Sequence, residues 1–313
     1  MMRAMALFGA IEAGGTKFVC AVGTSPADLQ AKIRLPTTTP SETLSRCVEF
    51  FRGQPAIEAL GVGCFGPIEL HRGAPSYGHV TTTPKPGWAN ADVVGPLERA
   101  LGVPVAFDTD VNGAVLGEAR WGAAHGLDTA VYVTIGTGIG GGALVGGELA
   151  RGLVHPEMGH LLVPRELDDL EFAGCCPFHG ARCWEGVAAG PALLARWGKR
   201  AEDLPAEHPA WDLEARYIAS GLTSLVLVLS PERVILGGGV MQAEPLFPLI
   251  RRHLQRSLAG YVRADALEAG IEQYVVPPRL GPLAGIAGAL ALAERALRES
   301  QAAPAQGGAA QLS

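Results

Sequence analysis

Residues 130–145 read AVYVTIGTGIGGGALV. Ala130–Ile135 is an unbroken apolar and β-branched run, the pattern of a buried strand. Gly136-Thr137-Gly138-Ile139-Gly140 then makes a turn, and 141–145 reads as a second strand. Residues 7–22, LFGAIEAGGTKFVCAV, repeat the arrangement: a strand at 7–12, a turn at Ala13-Gly14-Gly15-Thr16-Lys17, and a strand at 18–22. Each hairpin opens a run of strands mixed with helices. That repetition implies an α/β protein of two similar halves, with the two glycine turns facing one cleft. Backbone N–H groups at such turns form anion-binding concavities, and two of them suit a polyphosphate.

Neither turn is a standard nucleotide fingerprint. The first lacks the Gly-x-x-x-x-Gly-Lys-Ser/Thr of a P-loop ahead of a helix. The second lacks the third glycine of a dinucleotide turn, and a strand follows it rather than a helix. Glu12-Ala13-Gly14-Gly15-Thr16-Lys17 could cradle a phosphate, with Glu12 holding a metal ion through water, or could be an ordinary hairpin. Gly237-Gly238-Gly239-Val240 sits between a strand at 233–236 and a helix at 246–257, as a nucleotide contact or as a tight connection.

Further helices are expected at 41–51 (capped by Ser41), 91–101, 110–121, 191–200, 211–229 and 283–298, and further strands at 31–35, 57–64, 103–107 and 271–276. Residues 72–90 form a loop in which Pro84-Lys85-Pro86-Gly87-Trp88 blocks regular structure. The strand at 103–107 delivers Asp108-Thr109-Asp110 to a helix start. All three residues are good helix caps. Asp110 could also act as a general base for a hydroxyl attacking phosphorus, though locally capping is the better reading; an ordinary Asp, with pKa about 3.9, is ionised at neutral pH.

A third stretch, 155–185, is HPEMGHLLVPRELDDLEFAGCCPFHGARCWE. Cys176, His179 and Cys183 are spaced as short-loop zinc ligands. His155 is the nearest outside candidate for a fourth ligand, and Cys175 could compete. A metalloprotease helix is excluded, because His155 and His160 are five apart with Pro156 and Gly159 between them. Glu157, His160 and Glu185 suit vicinal hydroxyls or plain loop polarity. Asp168, Asp169 and Glu171 read as a solvated face.

Composition limits the alternatives. A chain of 313 residues suggests two domains. Its net charge of −6, without a basic run, argues against nucleic acid as a partner. No apolar run reaches the ~18 residues of a membrane helix. Cys20, Cys47 and Cys64 lie singly in apolar surroundings, which suits a reducing compartment. A soluble cytoplasmic protein is expected.

In order along the chain, IEAGGTKFVCAVG, TTPKPGW, DTDVNGAVLGEARWG, YVTIGTGIGGG, HPEMGH, CPFHGARCWEG, AAGPA and ILGGGVM resemble the ROK family of sugar kinases, to about residue 298. The subgroup most like it is the bacterial ROK fructokinases. The resemblance implies an actin-like ATPase (ribonuclease H-like, hexokinase-type) fold and ATP-dependent phosphorylation of D-fructose to fructose 6-phosphate. It implies a small lobe at 1–109, a helix at about 283–298 packing back on it, and a large lobe at 110–282 carrying the zinc loop; the Ala/Gly/Gln-rich composition makes 299–313 an expected disordered tail. Asp110 matches the catalytic base. Thr109, Asp110, Glu157, His160 and Glu185 match sugar-binding positions. Glu12, Gly14, Gly15, Thr16, Lys17, Thr134, Gly136, Thr137, Gly138, Pro191, Gly237, Gly238, Gly239, Val240 and Met241 match positions near ATP and Mg²⁺. Structural Zn²⁺ is implied on His155, Cys176, His179 and Cys183, and a homodimer is expected. Thr109-Asp110 in place of Asn-Asp, Cys-x-x-His in place of Cys-x-Cys, and Glu12 in place of Asp all match the fructokinase subgroup. The alternatives are a broader mannose or glucose kinase and a non-catalytic sugar sensor. The family's repressors carry an N-terminal helix-turn-helix, for which a first strand at about Leu7 leaves no room.

Overall fold

The computed structural model describes residues 6–302 and divides into two compact units. One runs to Asp108 and resumes at Ala289; the other is Thr109–Gly288.

The first unit is built on a five-stranded sheet ordered β3-β2-β1-β4-β5. β1 (Phe8–Ala13) and β2 (Lys17–Ser25) are the hairpin read from the sequence, antiparallel with Ala13 opposite Phe18. β3 (Asp28–Pro36) extends it. α1 (Pro40–Arg52) leads to β4 (Ala59–Cys64), which returns parallel to β1. α2 (Val94–Leu101) then leads to β5 (Val105–Thr109). The cap of α1 is Thr39, not Ser41: Pro40 takes the first helical position, so the chain enters helix two residues early, and Thr39 Oγ1 accepts from the Glu42 N–H. Trp88 anchors the loop that the prolines leave irregular. It is fully buried, donates its indole N–H to Thr38 O at 2.8 Å, and packs against Phe18 and Phe65. Its truncation to alanine would cost on the order of 3–5 kcal/mol.

The second unit begins with α3 (Asp110–Trp121) and the second hairpin, β6 (Ala130–Ile135) and β7 (Ile139–Val145). β8 (Glu148–Leu149) follows, then the 155–185 stretch, α4 (Trp184–Ala188), α5 (Gly190–Trp197) and the 20-residue α6 (Ala210–Leu229). β9 (Arg233–Gly237), α7 (Leu246–Leu258), α8 (Ile271–Tyr274) and β10 (Val275–Val276) complete the sheet, ordered β10-β9-β6-β7-β8. Counted from its own hairpin, this is the same strand order as in the first unit. Its core gathers Trp184, Tyr217, Ile218, Leu222 and Leu236, all fully buried.

The expected strand at 271–276 is mostly a helical turn. Tyr274 N–H bonds Gly270 O and its ring enters the core, so only Val275 and Val276 reach the sheet edge beside β9. α9 (Ala284–Ala302) passes from one unit to the other at Gly288/Ala289. It lies hard against β4: a Cβ on Gly61 would fall 1.8 Å from Ala289 O, so residue 61 must be glycine. Residues 299–302, expected as tail, continue this helix; the rest of that expectation, from 303, lies outside the described residues. Among the described residues, no helix is long and apolar enough to cross a membrane.

Candidate active site and metal centre

The β6–β7 turn is the hub of the second unit. It is closed by Gly136 N–H to Gly138 O at 2.9 Å. Gly190 N–H, at the start of α5, donates to Gly136 O at 2.7 Å, which brings Pro191 alongside. A Cβ on Gly136 would lie 3.8 Å from the Gly239 N. Gly238 has φ +97°, and a side chain there would strike Ile135 O at 2.2 Å. Three backbone segments predicted from separate motifs therefore meet: 136–138, 190–191 and 237–241. Thr134 lies on β6 opposite Gly140 and Gly237, and Thr137 is exposed at the turn. Val240 and Met241 are core residues, so that segment offers backbone rather than side chains.

Two carboxylates flank the same hairpin. α3 lies against β7: a Cβ on Gly142 would meet Val111 O at 2.4 Å, and one on Gly140 would meet Val111 Cγ1 at 3.0 Å. Asp110 therefore stands at the start of α3, beside the far end of the turn. Thr109, not Asp110, is the cap; its Oγ1 accepts from Asn112 N–H at 3.1 Å. Asp110 Oδ1 accepts from Val111 N–H at 2.9 Å, and the helix N-terminus favours its negative charge. On the other side, Glu185 Oε2 accepts from Ile139 N–H at 3.0 Å, and a Cβ on Gly138 would approach that oxygen to 2.6 Å.

The 155–185 stretch packs on β7 through its first part. Met158 is buried against Gly141, and Gly159 sits where a Cβ would fall 1.9 Å from Ile139 O. Trp184 N–H donates to Leu161 O and Val163 N–H to Arg182 O, so 161–163 and 182–184 run as a short antiparallel pair. Gly180 N–H closes a turn onto Cys176 O at 2.9 Å. Donor atoms of His160, Cys176, His179 and Cys183 all lie within 4.8 Å of one another, the group of this kind among the described residues. Cys176 Sγ is 3.6 Å from His179 Nδ1 and 3.8 Å from His160 Nδ1; Cys183 Sγ is 3.7 Å from His160 Nδ1.

The histidine in this group differs from the sequence expectation. His155 is buried with its Nδ1 3.5 Å from Glu157 Oε1, outside the four, and His160 takes its place. The 3-10 turn Met158–His160, pinned by the tight fit of Gly159, projects His160 toward the strand pair that carries Cys183. His160 was expected at sugar hydroxyls, and its Nδ1 faces the cysteines instead. Cys175 is not in the group; its backbone N–H bonds Gly186 O. Two thiolates and two imidazoles suit zinc, and bonds of about 2.3 and 2.05 Å give a tetrahedral S···N edge of about 3.6 Å, close to the spacings seen. Without a cation, burial pushes the Cys183 thiol up to about 11.

The turn of the first unit is simpler. Gly14 N–H bonds Lys17 O at 2.9 Å, Thr37 Oγ1 donates to Gly14 O at 2.7 Å, and Thr16 and Lys17 are exposed. Burial raises the Glu12 carboxyl above its ordinary value; Lys17, Arg34 and Lys32 pull the other way without cancelling it. One buried ion pair escaped the sequence reading. Asp169, taken for a solvated face, is buried and ion-paired to Arg196. The only available signal was its place three residues before an aromatic in a Gly/Cys loop, which is too weak to separate it from its exposed neighbour Asp168.

The family model of the ROK family matches residues 8–296. The chain is 46% identical over 294 residues to a fructokinase of Zymomonas mobilis, covering 92% of this chain and 96% of that one. It is 42% identical to a fructokinase of Pediococcus pentosaceus, covering 94% and 100%. Among solved structures, a ROK glucokinase from Streptomyces griseus in complex with glucose and AMPPNP superposes with a TM-score of 0.71 at 26% identity, covering 93% and 100%. With two sheets of matching strand order, each opening on a glycine-turn hairpin, the fold is the actin-like ATPase fold, and the chain belongs to the ROK family.

Proposed function

We propose that the chain is an ATP-dependent fructokinase that phosphorylates D-fructose at its 6-hydroxyl. One observation carries this reading: Asp110 and Glu185 flank the turn 136–140, whose other side meets 190–191 and 237–241. A base and a hydroxyl-binding carboxylate thus share one turn with a glycine-lined backbone site suited to phosphates. The fructose in the proposal comes from the relatives, whose named activity is fructokinase.

In the proposed step Asp110 accepts the 6-hydroxyl proton as that oxygen bonds to the γ-phosphorus, and the bond to the β-phosphate oxygen breaks to release ADP. Glu157 and Glu185 hold sugar hydroxyls. Turn N–H groups of Gly136–Gly138 receive phosphate oxygens, with Thr134, Thr137, Pro191 and 237–241 alongside. Glu12 and Gly14–Lys17 are assigned to Mg²⁺ and phosphate by the resemblance. Mg²⁺ would neutralise charge on the transferring group, and the Glu12 carboxylate suits it through water. Zinc would bind His160, Cys176, His179 and Cys183. Four protein ligands leave no place for an activated water, so its role is to hold the loop bearing Glu157 and Glu185. A homodimer remains part of the proposal.

A coupled ADP-release assay of Asp110→Ala tests the base. Loss of turnover by about 10³-fold or more is expected, since base and positioning are removed together. Activity within a few-fold of the parent overturns the assignment.

A further inference from the structure

The segment that leads into the metal loop is held by arginines. Arg165 donates through Nη2 to the carbonyls of Asp169 and Phe172. Arg216 meets Asp168 at 2.6 Å and Glu166 at 3.4 Å at the surface. The third contact is different in kind. Arg196, on α5, is 8% exposed, and Asp169 is 6% exposed. The guanidinium donates from Nε and Nη2 to the two carboxylate oxygens at 2.9 and 3.0 Å, the two-point fork that gives such pairs fixed geometry. The same Nη2 also donates to Val187 O at 3.0 Å, and the guanidinium lies 4.0 Å over the Phe172 ring.

Asp169 and Val187 are the two ends of one loop. Between them lie Cys176, His179, Cys183 and Glu185. A single buried guanidinium therefore closes the base of the loop, while the His/Cys group gathers its interior. Tyr217, on α6, reinforces the closure: its hydroxyl donates to Asp169 Oδ2 at 2.8 Å and accepts from Glu166 N–H at 3.3 Å. Glu214, one turn earlier on α6, is 1% exposed, and burial raises its carboxyl well above the ordinary range. Arg196 pulls the Glu214 carboxyl the other way without cancelling the burial, and Asp169 is the carboxylate that takes the two-point fork.

We propose that Arg196 is a positioning residue for the sugar site, closing the loop 169–187 at its base so that Glu185 is held against Ile139, independently of the metal. Arg196 touches no substrate in this account; it acts through Asp169, Val187 and the loop they bound. The proposal rests on the reading of Glu185 as a sugar-binding carboxylate.

Arg196→Lys keeps the charge and loses the fork. Tyr217→Phe is a milder change that keeps the core filled and removes one support of Asp169. For Arg196→Lys the fructose KM is expected to rise about tenfold with kcat and the ATP KM within about twofold, the pattern of lost uniform sugar binding. Tyr217→Phe should move fructose KM the same way by about twofold to threefold. In both, amide hydrogen exchange should accelerate at Cys175, Gly180 and Arg182, whose N–H groups close the loop, and not in α6. A fructose KM unchanged in both variants, or ATP KM rising in parallel, overturns the proposal. If Arg196→Lys does not fold, Tyr217→Phe decides. If the parent protein fails to phosphorylate fructose, the fructose reading fails by itself, and exchange still tests the clamp: uniform exchange throughout the second unit would refute it.

Discussion

The two glycine turns begin as the same object and end with different surroundings. Both join the first two strands of a five-stranded sheet with the same strand order. The turn at Gly14–Lys17 is finished locally, by its own Gly14–Lys17 bond and by Thr37 just beyond the next strand. The turn at Gly136–Gly140 is bonded to segments distant in sequence: Glu185 at Ile139, Gly190 at Gly136 and, by close packing, Val111 at Gly140. The repeated hairpin stands as a locally finished turn in one unit and is tied to the loop carrying the His/Cys group in the other. Damage to that loop should therefore reach the second turn and spare the first.

Among changes that test this contrast between the turns, the largest effect is expected from removing the His/Cys group. His160→Ala should lose zinc, measured by elemental analysis of the purified protein. Its fructose KM should rise about tenfold or more, by analogy with the 10–100-fold affinity losses seen when metal sites are weakened. His155→Ala should retain stoichiometric metal, because its ring faces Glu157. Metal lost from the His155 variant and kept in the His160 variant would reverse the ligand assignment.

A matched pair of substitutions separates the turns. Gly138→Ala places a methyl 2.6 Å from Glu185 Oε2, whereas Gly15→Ala meets no protein atom within 4 Å. Displacing Glu185 by a few tenths of an ångström should raise fructose KM by roughly fivefold. Gly15→Ala should leave fructose KM unchanged and move only ATP KM, as steady-state kinetics would show. Equal effects on fructose from both would erase the contrast.

Smaller effects belong to the first turn alone. Thr37→Val removes the hydroxyl that donates to Gly14 O and should cost about 1 kcal/mol in denaturant unfolding. Glu12→Gln probes the raised carboxyl. With the folded pKa above its ordinary 4.5, the group favours folding below that value, and the advantage is lost as pH rises through the folded pKa. At neutral pH the acid is thus a burden on folding, and Glu12→Gln should melt higher than the parent at pH 7. The difference should vanish below about pH 4.5. A difference that grows on acidification would contradict the sign.

Much of this was legible in the residues. Gly136–Gly140 and Gly14–Lys17 declared both hairpins, because a strand–glycine turn–strand pattern is local. Cys176, His179 and Cys183 declared three members of the His/Cys group by spacing. The fourth was not readable, because His155 and His160 differ only in how Gly159 seats against Ile139, a contact between residues twenty apart. Asp169 was missed for the same reason: its partner Arg196 comes from a helix 27 residues on. The strand expected at 271–276 failed because β-branched residues at a sheet edge yielded to the packing of Tyr274.

The central claim is that the second turn and its two flanking carboxylates phosphorylate fructose. It is tested most directly by ATP-dependent turnover of the purified protein with fructose, mannose, glucose and N-acetylhexosamines in parallel. The account predicts the highest kcat/KM with fructose, with one ADP released per fructose 6-phosphate formed. ATP turnover without sugar phosphate, or a clear preference for another hexose, would contradict it.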